Sequence, residues 1–357
     1  MKWINPLWKV PLTLISGYLL LITMVHAQTT SDKRELILLN WAEYMDPTVL
    51  QDFETRFHAK VKEVFFESNS ARDELLGQTE GKGYDVVVVN PRIIPFYVKR
   101  GWLIPLGGAQ IPNIKHIDPF WMKVHQQAEE YAIPYMTGTI GLVYRRDMVK
   151  PEITSWKQYF QPDEALRGKI FVIDDQRPAI GFALKALNYS YNSTDKNELT
   201  EAQKLLLTQK PYVQNYGYLT ALDENSGVVV GKTWVAMIYN GDALKLQKHH
   251  PELVYVIPRE GGAVWVDSMV ILKQSKQQKL AMQFINFLHE PEIAARLSVF
   301  NQYATPNQAA AQFLPAEHLN NPAIYPPDEV IKRSEFTRTL PPRITKARNE
   351  FFSKLIQ

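Results

Sequence analysis

The sequence predicts an α/β protein organised as two lobes, and three observations carry that reading. Apolar runs of strand length alternate with helix-like periodic runs between Arg34 and Gly101, as parallel α/β construction requires. The same alternation resumes between Lys169 and Asp242. A chain of 357 residues exceeds one small core and suits two.

The first 27 residues stand apart. Lys2 and Lys9 mark a charged leader, Pro11 to Met24 is apolar, and Val25-His26-Ala27 ends in a small residue. This is the pattern of a secretory signal peptide cleaved after Ala27. The alternative is an uncleaved anchor, for which the apolar run is short. No cysteine occurs, which excludes disulfides, thiolate nucleophiles, thiolate metal sites and a lipid-bearing cysteine. A signal peptide without cysteine suits a bacterial periplasmic protein. Removing Lys2 and Lys9 takes the formal charge from +3 to +1, so nucleic acid and anionic membrane are not expected partners.

In chain order, Arg34 to Asn40 reads as a strand. Asp46 then caps a helix that Pro47 opens, with Val49, Phe53 and Phe57 on its buried side. Val61 to Phe66 is a strand and Ala71 to Gln78 a helix. Tyr84 to Val89 is apolar throughout, as a strand buried on both faces should be. Asn90-Pro91 begins the next helix, which stops by Gly101. Near Ile133 to Tyr144 the chain leaves the first unit. The second contains a strand at Lys169 to Ile173, helices at Ala179 to Asn188 and Glu198 to Thr208, and a strand at Trp234 to Tyr239. Gly261 to Leu272 carries the chain back as a strand. Helices follow at Gln277 to Leu288 and Ile293 to Phe300, then a loop at Tyr303 to Asn307 and a Pro-punctuated helical tail from Pro315.

Several motifs fail. Gly231-Lys232-Thr233 lacks the glycine that a phosphate loop needs five positions earlier, where Ser226 stands. His249 and His250 are adjacent and cannot form an HExxH site, and no GxSxG elbow supports a serine nucleophile. What survives is a set of aromatics and carboxylates near strand ends, where α/β sheets gather ligands: Trp41, Glu43, Tyr44, Asp175, Tyr239, Asp242, Trp265 and Asp267. Asn90 and Arg92 also fall at such an end. Because side chains alternate along a strand, Trp265 and Asp267 share a face about 7 Å apart. An indole wall beside a carboxylate suits an ammonium group. Two chemistries want this set: glycosidases, with paired carboxylates and sugar-stacking rings, and amine receptors, with acids for ammonium ends and rings for the methylenes between.

The chain resembles the bacterial periplasmic spermidine/putrescine-binding proteins nearly from Glu35 to its C-terminus. The residues that carry this include NWAEY (Asn40 to Tyr44), FESN (Phe66 to Asn69), YDVVV (Tyr84 to Val88), PREGGAVWVDS (Pro258 to Ser268), INFLHEPEIA (Ile285 to Ala294) and YATPN (Tyr303 to Asn307). IYPPDEV (Ile324 to Val330) looks most like the putrescine branch.

The resemblance implies a two-lobe periplasmic-binding-protein fold of type II, with crossovers near Gly138–Tyr144 and Arg259–Asp267. Residues 28–140 and 268–314 would form the first lobe, and 141–267 and 315–357 the second. It further implies a monomer that is not an enzyme, needs no cofactor or metal, and binds a polyamine between its lobes for delivery to the membrane permease of an ABC importer. A related role is reporting polyamines to a membrane signalling protein of cyclic-di-GMP turnover. A carbohydrate-active enzyme using Asp175 and Asp267 is the rival from another class.

By position, the resemblance places Trp41, Glu43 and Tyr44 on the first-lobe wall and Asp175 on the second. Trp265 and Asp267 are the central pair, with Tyr239, Asp242 and Tyr303 around them. Two departures alter the charge balance. Arg92 stands where the spermidine branch has a pocket tyrosine, and Pro178 replaces a glutamate that holds an amine. A cation 4 Å from a ligand ammonium costs about 4 kcal/mol at an effective dielectric near 20. Arg92 is therefore expected to pair with a carboxylate such as Asp242, or to point out of the cleft. Failing both, an amine that also carries a carboxylate would be better accommodated.

Overall fold

The structure, a computed structural model, describes residues 34–125 and 128–357; the expected signal peptide lies outside them. Ten strands form one sheet: β1 (Glu35–Asn40), β2 (Lys60–Phe65), β3 (Val86–Val89), β4 (Ile133–Arg145), β5 (Ile170–Ile173), β6 (Val213–Gly217), β7 (Val235–Tyr239), β8 (Leu253–Val256), β9 (Ala263–Ile271) and β10 (Glu335–Phe336). The main path runs β2-β1-β3-β9-β4-β7-β5-β6, with β10 on β9 and β8 on β4.

The expected parallel construction holds at both flanks and fails in the middle. β1 is parallel to β2 and β3, and β5 to β6 and β7. β9 runs antiparallel to β3 and to β4, and β4 antiparallel to β7 and β8. The long strand β4 pairs with β9 from Ile133 to Ile140 and with β7 from Ile140 to Tyr144. It thus passes from one group of strands to the other.

Local signals explain the flanking helices. The Asp46 carboxylate accepts from the Thr48 amide at 2.8 Å, Pro47 takes the first helical position, and Val49 and Phe53 are buried. This helix, Pro47–Phe57, closes at His58 with φ of 49°, a left-handed C-cap. Asp175 caps the helix Gln176–Ala186, accepting from the Arg177 amide at 2.7 Å. Every residue of that helix is buried, so it is an internal helix rather than the half-solvated one that its charged residues suggest.

Two large cores result. The first draws on residues such as Leu36, Phe53, Val86, Tyr135, Met269 and Phe284. The second draws on Leu142, Trp156, Ile170, Phe182, Met237 and Ala263, and the C-terminal helix Pro342–Ile356 adds Phe352 and Leu355. Tyr239 and Trp265 pack against both cores. They therefore sit at the seam.

Candidate functional site

On β9 the alternation is explicit. Val264, Val266 and Ser268 are buried, whereas Trp265 and Asp267 are half-buried and face a cleft of about 440 Å³. Trp265 lies opposite Gly138 of β4. A Cβ at Gly138 would stand 2.6 Å from the indole, so glycine is what lets the ring settle there. Tyr303 and Tyr239 meet the indole edge-on, with centroids 4.8 Å and 5.8 Å away. Its Nε1 is buried without an acceptor.

Burial pushes the Asp267 carboxyl up to about 7, against the opposing influence of Arg72, the neighbouring Tyr44 hydroxyl and Arg92. No cationic side chain among the described residues comes within 4.0 Å of it. Arg72 is committed elsewhere: it is fully buried and donates to Asp73 at 2.7 Å and to Asn69 at 2.8 Å. The Tyr44 hydroxyl is buried without a hydrogen bond of normal geometry. A carboxylate in this setting lacks a counter-charge, and a ligand ammonium would supply one.

The other walls come from strand ends, as ligand sites in α/β sheets do. After β1, Glu43 adopts a left-handed φ of 54°, an uncommon conformation for a residue with a Cβ. This turn presents Trp41, Glu43 and Tyr44 to the cleft. Trp41 packs on Phe66 with ring centroids 4.4 Å apart and faces Tyr218 at 6.3 Å. After β3, the Asn90 side chain donates to Asn69 at 2.9 Å and accepts from the Arg92 amide at 3.2 Å. After β7, the helix Asn240–Gln247 carries Asp242, which accepts from the Tyr303 hydroxyl at 3.0 Å. Burial pushes Asp242 up to about 6, with Lys245 and Tyr303 opposing the shift.

All eleven residues singled out from the sequence line this one cleft, Asp175 included. The expectation for Arg92 is corrected. It neither pairs with Asp242 nor leaves the cleft: it lines the cavity, and no carboxylate among the described residues lies within 4.0 Å of it. The physical reason is position. Arg92 sits in the turn after β3, whereas the Asp242 carboxylate is engaged by Tyr303.

Several lining residues escaped sequence reasoning, notably Arg177, Tyr191 and Tyr218. The only signal for Arg177 was its place just after Asp175 at the end of a strand.

The chain matches the family model for bacterial extracellular solute-binding proteins over residues 48–326. It is 30% identical to the spermidine/putrescine-binding periplasmic protein of Escherichia coli over 312 residues, which cover 87% of this chain and 88% of that protein. The putrescine-binding periplasmic protein SpuD of Pseudomonas aeruginosa is 30% identical over 344 residues, covering 91% and 92%. Among solved structures, the spermidine/putrescine ABC transporter substrate-binding protein PotD of Streptococcus pneumoniae superposes with a TM-score of 0.78 at 28% identity, covering 90% of this chain and 98% of that one.

Proposed function

Because the chain belongs to the bacterial extracellular solute-binding proteins, we propose that it is a periplasmic receptor for a putrescine- or spermidine-like amine, which it passes to an ABC importer. The observation that carries this reading is the pair on β9. Trp265 touches both cores, and Asp267, on the same face, is a half-buried carboxylate with no cationic side chain of the described residues within 4.0 Å. A ligand ammonium there gains a charge-assisted hydrogen bond from Asp267 and a cation–π contact from the indole. Asp242 and Glu43 supply further negative charge, and Trp41 and Tyr239 offer apolar faces to the methylenes. The relatives described by name as binding spermidine or putrescine agree with this choice of ligand.

Among the described residues, the ligand lies between a first lobe within 34–140 and 268–314 and a second of 141–267 and 315–357. The two separate cores and the passage of β4 and β9 between them support this division. Hinge closure over the ligand then buries it, and the hydrogen bond from Tyr303 to Asp242 is consistent with contact between the two lobes beside the cleft.

A thermal-shift panel of putrescine, cadaverine, spermidine, norspermidine and agmatine tests the reading, with 1,4-butanediol as an uncharged control. A ligand at 100 times its Kd stabilises by about 2.7 kcal/mol. At least one amine is expected to raise Tm while the diol does not. A panel in which no amine shifts the melt contradicts the proposal.

A further inference from the structure

We propose that the cleft has a second, anion-receiving corner formed by Arg92 and Arg177, so that the ligand is an amine that also bears a carboxylate. The inference rests on the amine-binding reading above and narrows it. Arg177 is 4% exposed and lines the cleft. Its Nη2 donates to the Arg338 carbonyl at 2.7 Å, while its Nε and Nη1 are buried without a partner. Behind it, Arg348 is 1% exposed, donates from Nη2 to the Ser193 carbonyl at 2.7 Å, and also leaves Nε and Nη1 unpartnered.

None of the three arginines has a carboxylate within 4.0 Å among the described residues. Asp175 lies near enough for its charge to offset part of this, though it is not within 4.0 Å of the guanidinium, and its Oδ1 accepts from the backbone amide of Arg177. The crowding is felt: burial, then the charge of Arg92, brings the Arg177 guanidinium down to about 10, with Arg348 adding to the effect and Tyr191 and Asp175 opposing it. A guanidinium still holds its proton at neutral pH, and buried charge needs a counter-charge. The forked N–H groups of arginine match a carboxylate in shape and sign.

The acidic wall and this corner belong to one cavity, of a size for one small molecule. Arg92 connects them electrostatically, acting on both Asp267 and Arg177. A carboxylate carried by the amine itself satisfies both ends at once.

Calorimetry on the protein with two matched pairs tests this: putrescine against ornithine, and cadaverine against lysine. Within each pair the molecules differ only by a carboxylate. The carboxylated member is expected to bind roughly tenfold tighter or more. Arg92→Gln, at a half-buried turn position, should abolish that preference by weakening ornithine and lysine relative to their diamines, and melting curves of the variant check its fold. Diamines that bind as tightly as their carboxylated partners overturn the inference and leave the amine reading standing. Diamine affinity that rises with added sodium acetate, without any gain for ornithine or lysine, overturns the single-molecule ligand. Failure of all four compounds to bind overturns the amine reading itself.

Discussion

The cleft sets two unpaired clusters of opposite sign side by side, and they differ in how they tolerate burial. The acidic wall holds Asp267 and Asp242, pushed up to about 7 and about 6. Each can shed its charge by taking a proton. The basic corner holds Arg92 and Arg177; Arg177, and Arg348 behind it, are brought down to about 10 and remain cations at any physiological pH. One wall therefore adjusts to an empty cleft and the other cannot. The acidic side is expected to show its needs through pH, and the basic side through the choice of ligand.

The comparison breaks most readily at Asp267. Asp267→Ala should weaken putrescine binding by roughly 2–5 kcal/mol, because a desolvated ammonium loses its partner. Unchanged affinity in calorimetry would remove the acid from the site. Trp265→Ala should cost on the order of 2 kcal/mol through loss of the ring wall, and a loss within error would mean that the indole serves only the two cores it touches. Tyr303→Phe should have the smallest effect, about 1 kcal/mol, since it deletes one hydrogen bond to Asp242. It should also push the Asp242 carboxyl further up, which an NMR titration of that carboxyl would record.

Stability adds a sharper contrast. Both acids titrate above their ordinary value of 3.8, so the native state keeps protons that the unfolded chain has already lost. The ligand-free protein should therefore lose stability as pH rises from about 4 to about 7. Melting curves of the ligand-free protein against pH check this, and Asp267→Asn should flatten the slope over that range. The arginines contribute nothing to it below pH 8, because they stay protonated in both states.

Much of the cleft could be read from residue order. Alternation along Gly261 to Leu272 was enough to put Trp265 and Asp267 on one face, because one face of β9 meets the cleft and the other is packed. Asp46-Pro47 announced its helix for the same local reason. Strand direction could not be read, since a parallel and an antiparallel strand have the same two-residue period; that β4 and β9 run antiparallel to their neighbours is visible only in the pairing. β10 has two residues, too few for any period. β6 has no buried residue, lies at the sheet edge and offers no apolar run. Arg177 escaped because an arginine in the first turn of a helix ordinarily faces water, and only tertiary packing buries this one. Arg92 was expected on energetic grounds to find a carboxylate or to leave the cleft, and among the described residues it does neither.

The most direct measurement is calorimetric titration of putrescine into the protein between pH 5 and pH 8.5. The ligand amines stay protonated throughout, with pKa values near 10, so the titrating group belongs to the protein. Saturable binding is predicted, constant above pH 7 and weakening about tenfold for each unit below it as Asp267 takes up its proton. Binding that ignores pH across this range, or no binding at any pH, would contradict the account.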